Sequence, residues 1–89
     1  MPKKMTTARR KLLDMVLGTW PHGGGYASSG YLMSIGLMAF TGDQWNPDWS
    51  WNEDELATLS DRGLGQLWED CQKGDRFWDK VWEKKPIWK

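Results

Sequence analysis

The chain has 89 residues, carrying 12 basic and 12 acidic side chains, for a formal net charge of zero. That length makes one domain at most, residues 1–89, with a small core, because so short a chain buries only about 60–65% of its unfolded surface. Apolar residues at 39% and charged residues at 27% exclude the disordered and low-complexity classes, and eight Trp are far more than a soluble chain of this size normally carries.

Residues 7–20 read as a first helix. Thr6 or Thr7 caps its start, and Ala8, Leu12, Met15 or Val16, and Trp20 recur at helical spacing. Arg9, Arg10 and Lys11 crowd its first turn, where the helix dipole disfavours positive charge. That misfit points to a role for the cluster, either toward a partner or toward the acidic middle of the chain. Pro21 and Gly23-Gly24-Gly25 end the helix and make a helix–helix connector.

Residues 29–41 are apolar nearly all round and predict a central buried helix. A strand is the alternative, since Tyr31, Met33, Ile35, Leu37 and Ala39 also alternate, and Gly36 weakens both readings. Residues 42–52 read as a loop with the turn signature Asn46-Pro47-Asp48. Asn52 and Glu55 form a capping box opening a short helical turn to about Leu59.

Ser60 caps the next helix, which runs to about Lys73, with Leu59 and Leu64 placed as a hydrophobic staple. Leu64, Leu67, Trp68 and Cys71 make its apolar stripe. Gly63 and Gly65 each cost this helix about 1 kcal/mol relative to Ala, which predicts close packing against a neighbouring backbone. Gly74 stops the helix, Asp75 caps a last one with Phe77, Trp78, Val81 and Trp82 on its apolar face, and Pro86 ends it. Residues 1–6 and 87–89 are expected to fray unless Trp88 docks.

The fold class this predicts is an all-α bundle of three to four short helices. The alternative is α+β, with a short strand pair around residues 26–40.

The single cysteine allows no intramolecular disulfide, which fits a reducing, cytoplasmic setting. Asp14 interrupts the apolar stretch a signal peptide needs. The apolar run from Tyr31 to Phe40 is well short of the ~20 residues that span a bilayer, so no membrane association is expected. Charge is polarised along the chain. Residues 1–22 hold five cations against Asp14, residues 53–75 hold seven acids against Arg62 and Lys73, and residues 76–89 hold five cations against Asp79 and Glu83. Pairing of the basic ends with the acidic middle is the simplest outcome.

No motif supports catalysis. His22-Gly23-Gly24-Gly25 copies an esterase oxyanion loop, but no nucleophile elbow follows. Gly25 and Gly30 have phosphate-loop spacing, yet Tyr31 and Leu32 stand where Lys and Ser/Thr belong. Asp48, Ser50, Asn52 and Asp54 alternate like calcium ligands, but Glu53 replaces the turn Gly and Leu59 the bidentate Glu. One His and one Cys make no zinc site. The expectation is therefore a chain that is not an enzyme and has no cofactor or metal.

Trp20, Trp68, Trp78 and Trp82 fall on helical apolar faces and read as core. Trp45, Trp49 and Trp51 lie in a polar loop with Asp43 and Asp48, and an extended backbone points Trp49 and Trp51 the same way. These five form the candidate partner-binding set, with aromatic anchors and carboxylates that favour a basic partner surface. Lys3, Lys4, Arg9, Arg10 and Lys11 form an alternative nucleic-acid-binding set, against which stands a pI near 6.6. The expected function is a non-catalytic module that binds a larger protein and modulates or inhibits it, the kind of small protein that phages and mobile elements make against host machinery. Self-association as a homodimer is another way to cover an apolar surplus.

Overall fold

The computed structural model describes residues 6–22, 26–86 and Trp88, which form six helices and a two-stranded antiparallel sheet. Helix α1, Thr7–Leu17, starts where the Thr6 hydroxyl accepts the Arg9 backbone N–H. It stops at Gly18, three residues before Pro21, so Trp20 lies on the following segment. That segment is pinned by its backbone: the His22 N–H donates to the Cys71 carbonyl at 3.0 Å. The Gly23–Gly25 connector and Lys3 and Lys4 lie outside the described residues.

Helix α2, Tyr26–Ser34, is followed by a turn into strand β1, Met38–Phe40, so the single helix expected over 29–41 is a helix and a strand. Gly36 is the cause. Its φ of 86° is left-handed, and two hydrogen bonds close the helix end, Gly36 N–H to the Met33 carbonyl and Leu37 N–H to the Leu32 carbonyl. These are the paired bonds of a Schellman stop, and the accompanying apolar contact positions, Leu32 and Leu37, are both buried.

Strand β2, Trp49–Trp51, pairs with β1 in the register Met38↔Trp51, Ala39↔Ser50 and Phe40↔Trp49. The all-α expectation is thereby corrected to a helical chain with a hairpin. The strand partner comes from the segment read as loop, not from within residues 26–40. Three-residue strands give the sequence almost no alternation to display, which is why the Trp49-Ser50-Trp51 triplet passes for loop.

The second half follows the sequence more closely. The Asn52 side chain accepts the Glu55 N–H to open helix α3, Glu53–Leu56, and the Ser60 hydroxyl accepts the Gly63 N–H to open helix α4, Asp61–Cys71. Leu59 and Leu64 are both buried across that start. Leu64, Leu67 and Cys71 enter the core and Trp68 packs at its margin. The expected last helix is two single turns, α5, Asp75–Trp78, and α6, Val81–Lys84, and the α5 N-cap is Gly74, one residue before Asp75. The break turns Trp78 and Val81 inward while Trp82 stays 50% exposed, its ring edge-on to Tyr31.

Trp88 docks. It is buried beside Tyr31 and Trp78, and its indole N–H donates to Asp70 at 2.7 Å. Gly63 makes room for it, because a Cβ there would lie 1.8 Å from the Trp88 carbonyl oxygen. The backbone approach expected at the glycine pair is thus real at Gly63, whereas Gly65 faces open space. Among the described residues no helix is long and apolar enough to cross a membrane.

Candidate functional site

The hairpin gathers the candidate aromatic residues. Trp49 and Trp51 are two apart on β2, so both indoles project from one face, opposite Phe40 and Met38. Thr41 N–H donates to the Asp48 carbonyl and Asn52 N–H to the Leu37 carbonyl, bracketing the ladder. By alternation, Met38/Trp51 and Phe40/Trp49 are then the non-hydrogen-bonded pairs, whose side chains approach most closely. Phe40 and Trp49 accordingly pack edge to face, ring centroids 5.7 Å apart. Trp51 continues the row to Trp20 at 6.2 Å, also edge to face.

The members of this row differ in role. Trp51 is half-buried and its indole N–H donates to the Thr19 carbonyl at 2.9 Å, tying the hairpin to the segment after α1. Trp49 is half-buried against the core. Phe40 at 46% and Trp20 at 41% are exposed. Neither belongs to the set read from sequence, which places Phe40 in a buried helix and Trp20 on a helical core face.

Trp45 is 81% exposed at the hairpin tip, on a loop fixed by its own hydrogen bonds. The Asp43 Oδ1 accepts the Trp45 and Asn46 N–H groups, both at 2.8 Å, and the Asp43 N–H donates to the Asn46 carbonyl. The Asp48 Oδ1 accepts its neighbour's N–H, from Trp49, at 2.9 Å. Gly42 sits where a Cβ would lie 2.0 Å from the Asn46 carbonyl oxygen, so this loop closes only around glycine. Both aspartates are exposed. The five residues of the candidate set therefore share one hairpin.

The basic set disperses. Arg9 is buried, and its guanidinium donates to Asp61 at 2.7 Å and to the Ala57 and Leu59 carbonyls, locking the α3–α4 turn to α1. Arg10 pairs with Asp14 at 3.0 Å and Glu53 at 3.1 Å. The misplaced charge at the helix start thus answers the acidic middle of the chain. Lys11 remains exposed, beside a shallow depression of about 680 Å³ lined by Thr6, Thr7, Arg10, Asp14 and Met15.

Burial, aided by the charge of Asp70, pushes the Cys71 thiol up to about 12, so it is protonated at neutral pH and shielded from reagents. His22 is exposed on its pinned segment. Among the described residues no group of three His, Cys, Asp or Glu could hold a metal ion. No protein-family model, curated protein or solved structure matches the chain.

Proposed function

We propose that the protein is a non-catalytic interaction module that docks on a larger protein, through the hairpin, and modulates or inhibits it. One observation carries this reading: the fold buries Trp78 and Trp88 yet leaves Trp45 81% exposed on a tightly bonded loop, beside exposed Phe40 and Trp20. A loop whose backbone is already fixed loses less entropy when its aromatic residue docks, which is the property of interface anchors. Nucleic-acid association through the N-terminal segment has less support, because Arg9 is committed inside the fold and Arg10 to two carboxylates. A lone buried cysteine favours a reducing, cytoplasmic setting.

The test is affinity capture with the full chain and with a Trp45→Ala/Trp49→Ala variant. Trp51 is left in place because its indole N–H holds Thr19. The reading expects a protein recovered by wild type and lost with a variant that keeps the wild-type circular dichroism. Equal recovery by both removes the hairpin as the docking site.

A further inference from the structure

We infer that the segment the hairpin takes from its partner is extended and bears arginine side chains, an assignment that rests on the docking reading above. From Phe40 to Ser60 the chain carries Asp43, Asp48, Glu53, Asp54 and Glu55 and no cation. Arg10 answers Glu53, but neither Asp43 nor Asp48 has a basic group within ion-pair distance among the described residues. Both carboxylates stand exposed around Trp45. An anionic partner, nucleic acid or acidic lipid, meets repulsion at this tip, and a cation meets attraction.

The rings select among cations. A guanidinium lies flat on an indole or phenyl face while its N–H fork reaches a carboxylate, whereas an ammonium is compact and strongly hydrated. Trp45 and Phe40 offer exposed rings on the hairpin that carries the two unpaired aspartates. The backbone supplies the form. Because Phe40/Trp49 is a non-hydrogen-bonded pair, the N–H and C=O of Phe40 point away from β2, at a position that is half exposed. A strand-like segment can take that outward pair, and its alternate side chains then project on the face of Phe40 and Trp49.

Fluorescein-labelled octapeptides of alternating Gly and Arg, Gly and Lys, Gly and citrulline, and Gly and Glu, titrated with the full chain, test the assignment. The arginine peptide should bind about threefold tighter than the lysine peptide and at least about tenfold tighter than the citrulline and glutamate peptides. Trp45→Ala and the double variant Asp43→Asn/Asp48→Asn should each weaken it about tenfold. Asparagine keeps an oxygen to accept the loop N–H groups, so the turn survives that change. Arginine and citrulline peptides binding alike, or Trp45→Ala binding as wild type does, overturns the assignment. If the captured partner is still lost with Trp45→Ala/Trp49→Ala in that case, docking stands and only the cation falls. Equal capture by wild type and variant overturns docking instead.

Discussion

The indole N–H of Trp88 donates to the carboxylate of Asp70 at 2.7 Å, with both residues buried. Asp70 also accepts from the Gln66 amide and pairs with Lys73 at 2.8 Å, so a side chain at the end of the chain completes the bonding of a buried anion on α4. A neighbouring indole has the opposite fate. Trp78 lies 6.2 Å from Trp88, also buried, and among the described residues its N–H has no partner. Two Trp→Phe changes therefore separate ring burial from hydrogen bonding. Trp88→Phe removes a bond to a charged acceptor and should cost about 1.5–3 kcal/mol beyond its lost packing. Trp78→Phe deletes a desolvated donor that finds no acceptor among the described residues, and should cost less than Trp88→Phe. Urea unfolding of the two variants checks the order.

Gly63 controls the same docking from the other side. A methyl group there meets the Trp88 carbonyl oxygen at 1.8 Å, a backbone atom that moves only if the tail moves. Gly63→Ala should destabilise by up to the cost of undocking the ring, about 3–5 kcal/mol. Since Trp88→Ala undocks it by another route, the double variant should fall well short of the sum of the two. Gly65→Ala, with nothing among the described residues within 4 Å of the added carbon, should instead stabilise α4 by up to about 1 kcal/mol. Denaturant midpoints of the four variants test the contrast.

Arg9 joins α1 to the α3–α4 turn with one fork of donors. Arg9→Met leaves the Ala57 and Leu59 carbonyls without it and should cost about 2–4 kcal/mol. Asp61→Ala should cost only about 1 kcal/mol or less, because that carboxylate is 63% exposed and screened by solvent. Arg9→Lys should not recover the loss, as a single ammonium cannot reproduce the guanidinium's planar fork. Chemical denaturation of the three variants measures all three effects.

What the sequence disclosed depended on the range of the signal. Local signals were legible: the Asn52 and Ser60 caps, the Leu59–Leu64 staple and the Leu64, Leu67, Cys71 stripe all lie within one or two helical turns. Gly36 was visible but ambiguous, since a glycine inside an apolar run is compatible both with a continuing helix and with the left-handed turn that stops one. The partner of the strand that follows, Trp49–Trp51, is set by register across a loop, which spacing alone does not encode. Arg9 announced itself as a charge in the wrong place on a helix, but its acceptors, two backbone carbonyls, have no sequence signature. The candidate hairpin was legible as an aromatic and acidic cluster. Its exposed neighbours Phe40 and Trp20 were not, because an apolar residue's exposure depends on where its element ends.

Cys71 couples stability to alkaline pH. The unfolded thiol releases its proton near 9.0, whereas the folded one holds it to about 12, because burial disfavours the thiolate and Asp70 adds to the effect. The stabilisation from keeping the thiol neutral is thus fully present below pH 9 and is lost as pH rises from 9 toward 12. Between about pH 8 and about pH 10, wild type should lose about 1 kcal/mol more than Cys71→Ala, whose unfolding lacks this titration. Native protein should also resist a thiol-specific disulfide reagent at neutral pH and react once unfolded. Rapid reaction of the folded chain contradicts the burial.

The hairpin tip separates binding from folding. Trp45 is so exposed that Trp45→Ala should change stability by no more than about 0.5 kcal/mol. Gly42→Ala should do the reverse of a clean surface change. Its Cβ would lie 2.0 Å from the Asn46 carbonyl oxygen and 2.4 Å from the Asp48 nitrogen, so the loop must open by moving backbone. The cost should be about 1–3 kcal/mol, with the amides of residues 41–48 losing hydrogen-exchange protection while those of α4 keep theirs. Partner capture should fall in both variants for different reasons: Trp45→Ala removes the anchor from an intact loop, and Gly42→Ala keeps the anchor but releases its position. If Gly42→Ala disorders the loop and leaves capture unchanged, preorganisation of Trp45 contributes nothing to docking.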